Sequence, residues 1–361
     1  MKIRNNALSI LVINSSFYVI FFIVTELILG NWIKNFIIQK EYIPIPGLIK
    51  DKVLMYDAKK IFSSSKPVPI VYTRDKLGYR SRNPNQNKPQ ILTIGSSTTD
   101  QRYTTDGKTW QDYLDIIVPT FDFINGGVDG QSSYGHSTSI RLWHSKNLNP
   151  ENVSKIIFYS GDSEIRFLKN TISRFDVMET PFQYYQGVMR DNSFYRRKAK
   201  KIIEKFKNKF STLEERRVFI NQHKARPIDF LDKGNYYKLE NFNSNLYPEY
   251  VEIFTKLLND TQKYFPKSEV IVIQQQLPGC SFLNEFEVND RHPDKSETLC
   301  FDLMKIFQIQ KKIVNSQEFK NKINLVPMYL EKILYDQDVY DYNHTNHIGS
   351  KKVAKFIKSI L

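Results

Sequence analysis

From Leu8 to Gly30 the chain reads LSILVINSSFYVIFFIVTELILG, an apolar stretch broken only by Asn14, the serines, Thr25 and Glu26. As a helix it is long enough to cross roughly 30 Å of hydrocarbon. No polar face recurs at helical spacing, so an amphipathic core helix fits it poorly. A cleavable export signal would have a shorter apolar region and a small-residue exit, which this stretch lacks. The expectation is one uncleaved membrane anchor, with Glu26 near the end of the span where its carboxylate reaches the interface. Charge does not fix the orientation, because Lys2 and Arg4 before the span balance Lys34 and Lys40 after it. Two cysteines, Cys280 and Cys300, pair in an exported domain or stand as idle thiols in a reducing one. The expected placement is a single-pass membrane protein with its folded domain outside the cytoplasm.

Three segments follow from composition: a stub and anchor over 1–33, an extended linker over 34–89, and a folded domain over 90–361. The linker reading rests on YIPIPGLI, SSSKPVP and RDKLGYRSRNPNQNKPQ, which carry prolines and little apolar periodicity. A hydrophobic content of 41% with 14% aromatics excludes wholesale disorder. The net charge of +14 suggests an anionic neighbour. With no zinc-finger spacing, RNP-like strand or basic heptad region, nucleic acid is not expected as that neighbour.

Within the folded segment, ILTIG, FDFING, SKIIFYSGD and SEVIVIQQQ read as buried strands. Helices are expected at TWQDYLDIIV, with Trp110, Tyr113, Leu114 and Ile117 on one face, at YPEYVEIFTKLLNDTQKYF, and at the closing KKVAKFIKSI. Short apolar strands alternating with helices imply a parallel α/β sheet covered on both faces. Ligands bind beyond the carboxyl ends of such strands, where Gly95–Thr99, Gly126–Gly130 and Gly161–Glu164 would converge. An insertion over 166–244 contains YRRKAKKIIEKFKNKF, with Ile202, Ile203, Phe206 and Phe210 on one face among lysines and arginines. That face suits either a core-packed helix with a solvated side, or a lid or membrane-surface helix. PGCSFLNEFEVNDRHPD is expected as a long loop.

The stretch GSSTT after the first strand offers hydroxyls at a strand-to-turn junction. A serine becomes a nucleophile when a base takes its proton and a third group orients that base. Asp341 and His344, three residues apart in YDYNHTNHIGS, supply both groups from one turn. His347 remains an alternative base and Ser96 an alternative nucleophile. GGVDG lacks the G-x-G-x-x-G spacing of a dinucleotide site, and GKT at Gly107 lacks the earlier glycine of a phosphate loop, since Arg102 stands there. His136 and His144 have no carboxylate or histidine partners at metal-ligand spacing.

These blocks resemble the SGNH, or GDSL-like, hydrolase family, over nearly the whole of residues 95–349. GSSTT matches the family's first block and assigns the nucleophile to Ser97. NGGVDGQSSYG matches the second, with Gly130 as a backbone donor. Asp341, His344 and Gly349 match the last. The third block departs from Gly-x-Asn-Asp: the chain has GDSE, so Ser163 stands in place of the asparagine amide, and losing such a donor typically costs about a hundredfold to a thousandfold in rate.

The resemblance implies a flavodoxin-like three-layer α/β/α sandwich and ester or acyl chemistry with no metal or cofactor. It casts Ser97 as nucleophile, His344 as general base and acid, Asp341 as its orienter, and the amides of Ser97 and Gly130 with the Ser163 hydroxyl as oxyanion donors. The expected activity is that of a serine esterase or O-acyltransferase acting on an ester-bearing envelope glycan or lipid. The competing expectations are a degenerate glycan-binding cleft and a membrane-surface scaffold.

Overall fold

The computed structural model describes residues 2–38, 44–62, 69–80, 87–169, 176, 181–210, 230–293 and 298–361, and the backbone alone of 2–11, 60, 183 and 204–210. In chain order the longer elements are α1 (Lys2–Leu29), β1 (Lys52–Asp57), β2 (Pro69–Arg74), β3 (Gln90–Gly95), α2 (Trp110–Ile117), β4 (Asp122–Asn125), α3 (Ser133–Ser139), β5 (Val153–Ser160), α4 (Pro181–Asn192) and α5 (Phe194–Phe210). After these come β6 (Asn235–Lys238), α6 (Pro248–Tyr264), β7 (Glu269–Gln274), β8 (Cys280–Asn284), β9 (Glu287–Asp290), α7 (Leu299–Val314), β10 (Ile323–Val326) and α8 (His347–Ile360). They form two units, Met1–Pro44 with Met178–Arg216 and Ile45–Val177 with Arg217–Leu361.

The larger unit is organised by β3, all six of whose residues are buried. Its main sheet has the order β4-β3-β5-β7-β10, and every pairing is parallel. Numbering only these five strands along the chain gives 2-1-3-4-5, a doubly wound order whose direction reverses between β3 and β5. Alternate residues of each strand feed different layers. Leu92, Ile94, Ile156, Phe158, Val270 and Val272 pack with residues of α6 and α7. Ile91, Ile157, Tyr159, Ile271 and Ile273 pack with Trp110 and Leu114 of α2 and with Val353, Ala354 and Ile357 of α8. The three-layer α/β/α sandwich expected from the sequence is the observed fold.

Local signals set the helix starts. Thr109 and Asp112 form a capping box at α2, and the Asn346 side chain accepts the amides of Ile348 and Gly349 at the start of α8.

Two expectations need correction. Residues 34–89 are not simply a tether: β1 and β2 form an antiparallel pair, and Tyr72, Arg74, Tyr79 and Arg80 are buried in the larger unit. The reason is chemical, since the two arginines find buried acceptors in the turn after β3, described below. The SSSKPV part of that linker, residues 63–68, lies outside the described residues, as do 81–86 and Lys40. The loop expected from residue 278 onward is instead the β8–β9 hairpin, extended by β6 into a second sheet, with Phe282 and Val288 inward. β10 completes the main sheet from a four-residue run, INLV, too short to stand out in the sequence. Cys280 and Cys300, left open between two readings, form a disulfide joining β8 to the start of α7.

The smaller unit holds α1, α4 and α5. One stretch of α1, Val12–Leu29, is long and apolar enough to cross a membrane, and none of it is buried. The basic helix of the insertion is observed as α5. Ile202 and Ile203 are each 54% exposed, and the side chains of Phe206 and Phe210 lie outside the described residues.

Candidate active site

The carboxyl ends of β3 and β5, where the strand order reverses, carry Ser96–Asp100 and Gly161–Glu164. A crevice at this point is what the topology predicts for a ligand site. After Gly95 the chain tightens at once into a single helical turn, Ser97–Asp100, with the amides of Thr99 and Asp100 both bonded to the Ser96 carbonyl at 3.0 and 2.9 Å. A Cβ on Gly95 would lie 2.2 Å from Thr99 Oγ1, and one on Gly127 would lie 2.5 Å from the Asp100 amide. Gly127 thus lets the loop after β4 approach the backbone of the serine turn, and Gly95 leaves room for the Thr99 side chain folded back over it. Ser97 is half-buried at the mouth of the turn, whereas Ser96 is buried and its Oγ accepts the Gly130 amide at 3.2 Å.

The turn is held from below by groups that the sequence analysis missed. Asp100 is fully buried and accepts from Arg74 and, at 2.7 Å, from the Tyr72 hydroxyl. Burial alone would raise its pKa, but Arg74, Arg102 and Arg80 outweigh it and keep the carboxylate charged below its ordinary range. Arg80 donates to the backbone carbonyls of Asp100, Gln101 and Thr104. No local pattern announces these pairs, which span about twenty to thirty residues of chain and join a strand to a turn.

On the loop before α8, His344 Nδ1 lies 2.7 Å from Asp341 Oδ2, and Asp341 Oδ1 accepts the His344 amide at 2.8 Å. Tyr340 stacks on the imidazole with ring centroids 5.5 Å apart. Burial would lower the His344 pKa, but the hydrogen bond and charge of Asp341, with the charges of Asp162 and Asp129, raise it above its ordinary value. His347, the other candidate base, is an exposed residue at the start of α8. Gly349 is needed because a Cβ there would lie 2.3 Å from the Asp338 carbonyl oxygen.

Gln101 bridges the two pieces. Its side-chain amide donates to Thr345 Oγ1 at 2.9 Å and Ser350 Oγ at 2.7 Å, while its oxygen accepts the Trp110 amide at 2.9 Å. These bonds hold Gln101 in the left-handed region, φ 48°, where a residue with a side chain is strained. The residue after the serine turn is thereby fastened to the residue after His344. Among the described residues no hydrogen bond joins the Ser97 hydroxyl to His344 itself.

The remaining site residues stand on the two neighbouring loops. Gly130 has φ 82°, and its carbonyl accepts from Arg166 at 2.8 Å. Ser163 is buried in the first turn of a 3-10 helix, Asp162–Lys169. Its neighbour Asp162 accepts from Asn343 at 2.6 Å and Tyr342 at 3.2 Å, tying this loop to the histidine loop. Glu164 accepts the Ser133 amide at 3.0 Å, and burial pushes its pKa up to about 8. Burial also pushes Asp129 up, against the pull of Arg102 at 3.2 Å.

No family model and no curated protein matches the chain. Among solved structures it is similar to the acetyl xylan esterase AlAXEase, at 11% identity and a TM-score of 0.41, over 75% of this chain and 99% of that one. It is also similar to a member of the lipolytic protein G-D-S-L family from Veillonella parvula (13%, TM-score 0.40, 75% and 97%). An acetylxylan esterase from Geobacillus stearothermophilus gives 12%, 0.39, 75% and 94%. At these TM-scores the likeness adds nothing to the reading of the fold, which rests on the sheet order.

His136 and His144 are buried, and burial lowers the pKa of each to about 3, so both are neutral core groups. His144 Nδ1 lies 3.2 Å from the Tyr79 hydroxyl.

Proposed function

We propose that the chain is a serine-dependent acyl enzyme of SGNH type, acting on esters through Ser97, His344 and Asp341. One observation carries this reading: a hydrogen-bonded Asp341–His344 pair fastened through Thr345 and Gln101 to the serine turn at the sheet's reversal point.

Ser97 Oγ attacks the ester carbonyl carbon as His344 Nε2 takes its proton, and Asp341 stabilises the imidazolium through Nδ1. The carbonyl oxygen becomes an oxyanion, bound by the amides of Ser97 and Gly130 and by the Ser163 hydroxyl. In the free site the Gly130 amide rests on Ser96 Oγ. A developing oxyanion displaces that neutral acceptor, because hydrogen bonds to ionised acceptors are roughly twice as strong. Collapse expels the alcohol, protonated by His344, and leaves an acyl group on Ser97. Water then completes hydrolysis, or a sugar hydroxyl completes transfer, and the same base serves both.

A stretch of α1 long and apolar enough to cross a membrane and a Cys280–Cys300 disulfide together support a membrane-anchored domain outside the reducing cytoplasm. The substrate class that fits this location is an O-acylated glycan or lipid of the cell envelope. A second reading, a cleft that binds such a glycan without cleaving it, is favoured by the Gly130 amide already satisfied by Ser96 and by Ser163 in the third block. Turnover of p-nitrophenyl acetate by the full chain, beside Ser97→Ala and His344→Ala, separates the two. Loss in both variants supports the enzyme, and equal rates in all three support the binding cleft.

A further inference from the structure

The smaller unit carries apolar and basic surface that the ester chemistry does not use. The junction between α4 and α5 is built onto the last turns of α1. Glu26 accepts the amide of Tyr195, the second residue of α5, at 3.1 Å, and the indole N–H of Trp32 at 3.3 Å. The Tyr195 ring stacks on Phe22 with centroids 4.1 Å apart. Asn31 donates its amide to the Asn192 carbonyl at 3.0 Å, and Arg197 donates to the Leu29 carbonyl at 3.1 Å. A carboxylate at the end of an apolar span is costly unless partnered, and here its partners are the first turn of a 17-residue helix and an indole.

Around this junction apolar side chains are left uncovered. Phe182, Tyr185 and Met189 of α4 recur at i, i+3 and i+7, hence along one face, and are 70%, 63% and 43% exposed. Ile202 and Ile203 of α5 are exposed among lysines. From Arg190 to Lys201 the sequence RDNSFYRRKAKK has six cations and one acid. A cluster of that size beside an apolar span is what anionic head groups attract, and an amphipathic helix with an apolar stripe lies in the interface plane.

We infer that α4 and α5 form an interfacial platform that rests on an anionic phospholipid surface at the end of α1. This rests on the reading of α1 as a membrane anchor. If α1 crosses the hydrocarbon, hydrogen bonds of about 3 Å hold the α4–α5 junction at the depth of its last turn. The exposed face of α4, together with Ile202 and Ile203, is then buried among the head groups rather than in water.

The test is depth-dependent quenching of the full chain in lipid nanodiscs containing phosphatidylglycerol. Ile20→Cys and Ile203→Cys each carry a fluorophore, the native cysteines being paired. Phospholipids brominated near the head group or near the chain end serve as quenchers. The expected result is deep quenching at Ile20 and shallow quenching at Ile203. The Ile203 signal should fall by about half or more in purely zwitterionic discs, and likewise with Arg196, Lys198 and Lys201 reversed to Glu, because each surface cation contributes attraction to anionic lipid. Quenching at Ile20 with none at Ile203 overturns the platform and leaves the anchor standing. No quenching at Ile20 removes the anchor and the platform with it. Absence of quenching at Ile203 together with charge-dependent binding of a soluble oligonucleotide assigns the basic surface to a polyanion instead.

Discussion

Both oxygens of Asp341 reach His344, one the ring at 2.7 Å and the other the backbone amide at 2.8 Å, the latter oxygen also accepting the Asn343 amide at 3.0 Å. The carboxylate therefore fixes the imidazole's tautomer and the path of its loop together. Asp341→Asn keeps the backbone contact but disfavours the tautomer with its proton on Nδ1. Ester turnover is expected to fall by about a hundredfold to ten-thousandfold, with little change in folding. Steady-state kinetics beside a thermal melt checks it.

The same pair sets the pH dependence. The His344 pKa is raised, so the imidazole gains its base form only as pH climbs above its ordinary value near 6.5. In wild type kcat/KM is expected to rise with pH through an inflection above 6.5. In Asp162→Asn, which removes one of the neighbouring negative charges, that inflection moves down. An unmoved inflection would mean that the field of Asp162 does not reach the imidazole.

Gln101→Ala cuts the bridge between the serine turn and the histidine loop while leaving Ser97, His344 and Asp341 in the chain. Alanine carries the same Cβ, so the left-handed strain at this position persists while the buried bonds to Thr345, Ser350 and the Trp110 amide are lost, and the melting temperature is expected to fall by several degrees. A loosened site is expected to lose about tenfold to a hundredfold in kcat, in line with the sensitivity of catalysis to small displacements. Gln101→Glu still accepts the Trp110 amide, and the Thr345 and Ser350 hydroxyls can turn to donate to its carboxylate, so it is expected to retain more activity than Gln101→Ala.

The proposed oxyanion donors give a gain-of-function prediction. Ser163→Asn restores an amide at the third block and is expected to raise turnover by about tenfold or more, within the range one such donor supplies. Ser96→Ala frees the Gly130 amide from its resting acceptor and is expected to leave turnover within about tenfold of wild type. Both are read from kcat with p-nitrophenyl esters.

Glu164 predicts a stability effect. With a folded-state pKa near 8 against 4.5 as the ordinary value, the folded protein holds this proton when the unfolded chain has lost it. Its contribution is fully present below pH 4.5 and is lost as pH rises toward 8, at about 1.4 kcal/mol per pH unit across that window. Glu164→Gln is expected to flatten the decline in urea-unfolding free energy over this range. A slope identical to wild type would contradict it.

Much of this arrangement was legible from residue type and spacing. β3, β5 and β7 are rich in apolar residues (ILTI, IIFY and VIVI) because both their faces are covered, and such runs survive as a signal without any partner being known. Asp341 and His344 were legible because both lie in one turn. The residues that hold the serine turn were not. Arg74 and Arg80 sit in a proline-flanked stretch with the composition of a tether, and only the fold brings Asp100 and the carbonyls after it within reach. Gln101 and Asp162 are likewise ordinary polar residues, and Thr345 and Asn343, which they meet on the histidine loop, lie more than 180 positions away. The β8–β9 hairpin did carry its signal, an inward alternation of Cys280, Phe282, Val288 and Asp290, but glycine, proline and charge around it read as loop.

The most direct test of the central claim is fluorophosphonate labelling of the full chain in detergent, with the adduct located by peptide mass spectrometry. The account predicts one adduct, on Ser97, formed by wild type and by Ser96→Ala and abolished by Ser97→Ala and His344→Ala. An adduct on Ser96, or no adduct in a folded protein that still binds acylated glycan, would contradict it.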